Sequence, residues 1–153
     1  ANKAGVRKAI TLSDPSMPTF FKDNLNTLID FGVDILFGNV EEVLTLTGSS
    51  SIDEAYKSFS GKVSLLVVTK GADGAEAWDS NGCIQVPGKA ADCIDTLGAG
   101  DLFAGAFLYG LLYNNDIKLA LNLGVGCSGR LVECRGPRLD KNEILSIKNE
   151  VMQ

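Results

Sequence analysis

The chain contains no histidine among its 153 residues, and that one absence narrows its chemistry. Without imidazole, neither a Ser-His-Asp nor a Cys-His arrangement can be built, and zinc sites lose their usual ligand. A general base must then be a carboxylate, a lysine, a tyrosine or a cysteine. The four cysteines (Cys83, Cys93, Cys127, Cys134) form no Cys-x-x-Cys pair. Cys127 and Cys134 lie seven apart in a helical stretch, share a face, and read as small buried hydrophobes before disulfide or metal ligands. No apolar run has the length of a membrane span and no signal peptide opens the chain, so a cytoplasmic protein with no membrane partner is expected. Fourteen Lys and Arg face 19 Asp and Glu, a net charge of −5, and the cations are scattered. A basic stripe is lacking, which argues against a nucleic-acid partner. The order GxxxxGK[ST] is also absent, so no P-loop is implied.

What is present suits one α/β domain. Hydrophobic residues make up 45% and charged residues 22%, ordinary for a globular protein. Residues 1–9 read as the tail of a helix, and Ile10–Ser13 as a short buried strand. Two prolines in Asp14-Pro15-Ser16-Met17-Pro18 block any helix before Thr19. From Thr19 to about Phe31, Phe20, Leu25, Leu28 and Ile29 share a face, an amphipathic helix closed by Gly32. Val33–Phe37 is a second strand, and a helix opened at Asn39 runs to Gly48. Ser51 caps a short helix to Phe59. Val63–Thr69 is continuous and β-branched, as a strand buried on both faces of a parallel sheet would be. A hairpin turns at Ser80-Asn81-Gly82. Helices follow from Gly98 to about Tyr113, from Asp116, and from Asp140 to Val151. Strands alternating with helices imply a largely parallel sheet.

One stretch carries the chemistry: Asp95-Thr96-Leu97-Gly98-Ala99-Gly100-Asp101 runs directly into LFAGAFLYGLLY. Gly98, Ala99 and Gly100 at a helix start leave backbone N–H groups without intrahelical partners and without bulk in front of them. Such a terminus can hold an anion. Asp101 follows in the first turn, where the dipole stabilises a carboxylate by about 0.3–1 kcal/mol. An anion hole beside a fixed carboxylate suits moving a phosphoryl group onto a hydroxyl. Taken alone, the same residues describe a glycine-rich helix cap with Asp101 as a dipole partner.

Two further segments stay open between structure and function. Asn39 and Glu42 have capping-box spacing. Thr69-Lys70-Gly71-Ala72-Asp73-Gly74 follows a strand at its carboxyl end, where open α/β sheets bind ligands, yet it also reads as an ordinary turn. Gly124 and Gly126 sit inside a helical pattern at about 1 kcal/mol each, so close packing or ligand approach is expected there.

The run DTLGAGDLFAGAF resembles the signature of the PfkB (ribokinase-like) carbohydrate and nucleoside kinases at every fixed position. FFKDNLNTLIDFGVDILFGNVEEV is similar to the adenosine-kinase branch, and GRLVECRGPRL to the family's close. The resemblance implies a ribokinase-like, Rossmann-like three-layer α/β sandwich, with residues 1–153 as the C-terminal, nucleotide-binding and catalytic portion and the lid absent. It implies transfer of the ATP γ-phosphate to a hydroxyl of a sugar or nucleoside. In that scheme Asp101 is the base and Gly98, Ala99 and Gly100 form the anion hole. Asn39 and Glu42 organise Mg²⁺ through water beside the 95–101 loop. Thr69, Gly71, Gly74 and Thr96 lie by the nucleotide, and Gly124, Val125 and Cys127 border the adenine pocket. Asp95, with carbonyls from about Val132 to Pro137, is the candidate site for a monovalent cation such as K⁺. The expected partners are the small-molecule substrate and a second copy of the chain, as a homodimer. A nucleotide-binding fragment without turnover is the competing reading; a haloacid-dehalogenase-type site on Asp14 is weak, since no second aspartate stands two residues on.

Overall fold

Residues 5–59 and 61–152 are described by the computed structural model, and residues 1–4, part of the expected N-terminal helix tail, lie outside them. Two compact units divide the chain: residues up to Thr69 with Ala77–Cys83, and Lys70–Glu76 with Ile84 onward.

The first unit begins with β1 (Ala9–Thr11), α1 (Ser16–Phe20) and α2 (Lys22–Asp30), continues through β2 (Val33–Asn39), α3 (Val40–Thr47) and α4 (Ile52–Ser58), and reaches β3 (Val63–Thr69). β4 (Ala75–Asp79) and β5 (Gly82–Val86) follow as a hairpin, and the five strands form one sheet in the order β1-β2-β3-β4-β5. β1, β2 and β3 are parallel, with Ile35 opposite Leu65 and Asn39 opposite Thr69. Leu65, Leu66, Val67 and Val68 are all buried, so β3 is covered on both faces, as its unbroken apolar run implies. The core gathers Leu12, Leu36, Val43, Leu46, Val63 and Leu66, with Leu25 and Ile29 of α2 laid over it.

Four local expectations fail here, one of them that the two prolines bar any helix before Thr19, since α1 starts at Ser16. Residues 5–8 are not helical, and β1 begins at Ala9. The first strand ends at Thr11 because Ser13 is left-handed (φ 64°), so β1 is a short edge strand with fully buried Leu12 just beyond it. The helix drawn from Thr19 to Phe31 is two helices. Pro18 lies inside α1, in the first turn where its missing N–H has no intrahelical acceptor to lose. Phe21 (φ −120°, ψ 25°) then breaks the run, leaving Phe20 and Leu28 exposed while Leu25 and Ile29 are buried. A single helical face was the wrong geometry for these four residues.

The second unit holds a 3₁₀ turn (Gly71–Asp73), then α5 (Ala99–Asn114), α6 (Ile117–Leu131) and α7 (Lys141–Val151). α5 and α6 run antiparallel and close. A Cβ on Gly110 would stand 3.0 Å from the Ala120 Cα, and one on Gly124 would stand 2.8 Å from the Phe103 ring. Gly126 faces Ile147 of α7 in the same way, at 2.9 Å. Both mid-helix glycines of α6 therefore sit where helices touch, and the helix continues through them. Asp116 caps α6 and Asp140 caps α7 with a reciprocal Glu143 box, as Asn39 and Ser51 cap α3 and α4. Among the described residues no helix is long and apolar enough to cross a membrane.

Candidate active site

In the first unit, the carboxyl ends of β1, β2 and β3 carry the polar groups. Gly38 is obligatory there, since a Cβ would meet Leu12 at 2.9 Å and Val43 at 3.0 Å. Its smallness lets Asn39 turn the chain directly from β2 into α3. The Asn39 Oδ1 accepts the Glu42 N–H at 2.8 Å, and the Glu42 Oε2 accepts the Asn39 N–H at 2.9 Å. The Asn-x-x-Glu pair is thus a complete capping box, which fixes both side chains. Glu42 is only 5% exposed. Burial pushes its carboxyl above the ordinary range, the Asn39 hydrogen bond pulls back, and the negative charges of Asp14 and Glu41 push further up. Asp14 as a neighbour of Glu42 was not legible from the sequence, because β1 and β2 are joined by two helices. Thr69 ends β3 directly opposite Asn39.

In the second unit, Asp95 and the 132–136 segment hold the glycine loop in place. The Asp95 Oδ1 accepts the Leu97 N–H at 2.9 Å, and its Oδ2 accepts the Gly136 N–H at 3.1 Å. Those two bonds hold the Asp95 carboxyl below its ordinary range. The Val132 carbonyl accepts from the N–H groups of Ile94 and Asp95, at 2.7 and 3.1 Å. Gly98 caps α5 in the left-handed region (φ 76°), and a Cβ there would stand 2.8 Å from that of Pro137. Only glycine satisfies both demands.

The expected ring of amides differs in two respects, the Ala99 amide dropping out and the Asp101 amide joining Gly98 and Gly100. The Ala99 N–H donates to the Thr96 carbonyl at 3.2 Å, closing a turn, so it is committed within the protein. The N–H groups of Gly98, Gly100 and Asp101 have no acceptor among the described residues. Gly100 faces open space, with nothing within 4 Å of where a Cβ would be. Thr96, Gly100 and Asp101 are exposed. The loop therefore offers an accessible cup of donors with a carboxylate in the first helical turn, and no apolar packing covers it.

Gly71 and Gly74 both have positive φ (59° and 98°) in the loop after β3. Gly124 is packed on Phe103, and Val125 and Cys127 are buried at 7% and 1% exposure. Burial raises the Cys127 thiol above its ordinary range, with nearby Lys89 acting in the opposite sense. No cluster of three or more His, Cys, Asp or Glu side chains that could hold a metal occurs among the described residues.

Residues 1–144 match the model of the pfkB family carbohydrate kinases. The chain belongs to that family. The pfkB relatives include the ribokinase of Lactococcus lactis subsp. lactis (strain IL1403), 30% identical over 126 residues, covering 82% of this chain and 41% of that protein. The crystal structure of adenosine kinase from Sinorhizobium meliloti superposes with a TM-score of 0.90 at 27% identity, over 98% of this chain and 46% of that one. Fructokinase from Vibrio cholerae O395, in its fructose, ADP and calcium-bound form, gives a TM-score of 0.82 at 27% identity, over 95% of this chain and 52% of that one. The fold is ribokinase-like α/β, with a mixed, mostly parallel sheet. The chain spans about half the length of these relatives.

Proposed function

We propose that this chain is the C-terminal, nucleotide-binding and catalytic portion of a pfkB-type kinase that moves the γ-phosphate of ATP to a hydroxyl of a sugar or nucleoside. The observation that carries the reading is the set of amides at the start of α5, half-buried at the Gly98 cap and exposed at Gly100 and Asp101, together with the Asp101 carboxylate in the first turn. An oxyanion seated there meets preorganised donors that need no reorientation as charge develops. Asp101 accepts the proton of the acceptor hydroxyl as its oxygen attacks the γ-phosphorus, and ADP departs. Thr96, Gly71, Gly74 and Thr69 are the candidate contacts to the nucleotide, and Gly124, Val125 and Cys127 the candidate border of its base.

Asn39 and Glu42 suit an outer-sphere role toward Mg²⁺. Their capping bonds use one oxygen of Glu42 and the single oxygen of Asn39, which leaves the second Glu42 oxygen to orient water on a held scaffold. Bound Mg²⁺ would neutralise phosphate charge in the transition state. Asp95 and the carbonyls of the 132–137 segment are the candidate K⁺ site. We place the protein in the cytoplasm, and a homodimer is the proposed assembly.

Two measurements on one preparation test this: ATP-dependent phosphorylation across a sugar and nucleoside panel, and MgATP binding by calorimetry. Transfer to at least one acceptor is expected. Binding without transfer to any acceptor selects the non-catalytic nucleotide-binding fragment, and absence of both overturns the proposal.

A further inference from the structure

Glu76 stands where a strand seldom carries a charge. It lies in β4 between buried Ala75 and Ala77 and is itself only 4% exposed. A carboxylate so placed is costly unless paired and hydrogen-bonded. Its Oε2 is met by the Lys70 ammonium at 3.2 Å and by the Gln85 amide Nε2 at 3.2 Å. Gln85 comes from the neighbouring strand β5, and Lys70 opens the loop that follows β3.

That loop is closed by its own backbone. The Lys70 N–H donates to the Gly74 carbonyl at 2.8 Å, and the Asp73 N–H donates to the Lys70 carbonyl at 3.2 Å. Elsewhere it is pressed on the exit of β5. A Cβ on Gly74 would stand 2.2 Å from the Val86 carbonyl oxygen, and one on Gly88 would stand 2.0 Å from the Ala72 carbonyl oxygen. The backbone contact and the ion pair together clasp residues 70–74 to residues 85–88. A simple strand-to-hairpin turn requires no buried charge.

We infer that Glu76 is a positioning residue for the nucleotide: through Lys70 and Gln85 it holds the 70–74 loop in the one backbone conformation that receives a nucleoside triphosphate. The nucleotide part of this inference rests on the ATP reading above. Glu76→Gln in the full chain removes the charge that anchors Lys70 while keeping the side chain's shape.

The test reads amide hydrogen exchange at Asp73 and Gly74 without ligand, and the MgATP dissociation constant by calorimetry. Glu76→Gln is expected to speed exchange at both amides about tenfold, with α5 and α6 amides unchanged. It is also expected to raise the MgATP Kd about tenfold, and Lys70→Arg, which retains the pair, should stay within about twofold of wild type. Should Glu76→Gln fail to fold, Gln85→Ala removes the Gln85 donor and should shift both readouts the same way, about threefold. Unchanged exchange in the folded variants overturns the inference. Faster exchange with an unchanged Kd also overturns it, leaving only a structural ion pair. A wild-type chain that binds no MgATP sinks the ATP reading instead, and exchange at Asp73 and Gly74 then still decides whether Glu76 orders the loop.

Discussion

The Asp95 carboxylate joins two segments far apart in sequence, accepting from the Leu97 N–H with one oxygen and from the Gly136 N–H, 41 residues on, with the other. The loop that leads into α5 is thereby tied to the segment that leaves α6. Because these bonds favour the charged form, the stability they confer is present above the ordinary Asp value of 3.8 and is lost as pH falls through the lower folded value. Melting of the wild type in acid should therefore show a drop below about that pH that Asp95→Asn lacks. At neutral pH Asp95→Asn should melt lower than wild type. Equal melting at pH 7 would contradict the tie.

Glu42 has the opposite sign. Burial raises its carboxyl, so the folded chain favours the protonated form, and stability falls as pH rises through the raised value. Glu42→Gln keeps an oxygen to accept the Asn39 N–H and removes the buried charge. The variant should melt above wild type at pH 7, with the advantage vanishing below the ordinary Glu value of 4.5. If Glu42 serves Mg²⁺ through water, the same variant weakens Mg²⁺-dependent ATP binding, a gain in stability set against a loss of function.

The capping residues show how far the sequence alone reaches. Asn39, Ser51, Asp116 and Asp140 all cap the helices assigned to them, because a cap is decided within four residues. The strand Val63–Thr69 was legible to its ends for the same kind of reason, an unbroken apolar run. The break at Phe21 was not, since the apolar spacing of Phe20, Leu25, Leu28 and Ile29 does not say which of them the sheet will cover. Within the candidate site, the helix start at the glycines could be read from their order, with Gly98 as its left-handed cap. The turn that commits the Ala99 amide to Thr96 could not, and neither could the Glu76 clasp, whose partners meet only once the hairpin is in register.

The glycines of α6 separate packing from propensity. Gly124→Ala places a methyl 2.8 Å from the ring of Phe103, which is 2% exposed and has nowhere to move. Overpacking of about 1–3 kcal/mol outweighs the ~1 kcal/mol gain in helix propensity, so the melting temperature should fall. Gly129→Ala meets only the Lys89 Cβ at 3.9 Å and should hold or raise stability by up to ~1 kcal/mol. Thermal melts of the two variants, compared side by side, check this; a stabilised Gly124→Ala would contradict the packing account.

Thiol chemistry reports on the second unit's core. Cys83 and Cys93 are exposed, whereas Cys127 is buried and its thiol is raised by desolvation. Titration of the native chain with a disulfide reagent should modify Cys83 and Cys93 rapidly and spare Cys127 until denaturant is added. Fast native reaction at Cys127, located by peptide mapping, would show that α6 is not packed as described.

The most direct test of the catalytic reading compares wild type with Asp101→Asn, measuring MgATP-dependent phosphoryl transfer beside the MgATP dissociation constant. Loss of the proton acceptor alone predicts a transfer rate lower by about 10²–10⁴, with the dissociation constant within about twofold, since the amide cup is untouched. Near-wild-type turnover by Asp101→Asn would contradict the assignment of that carboxylate as the base.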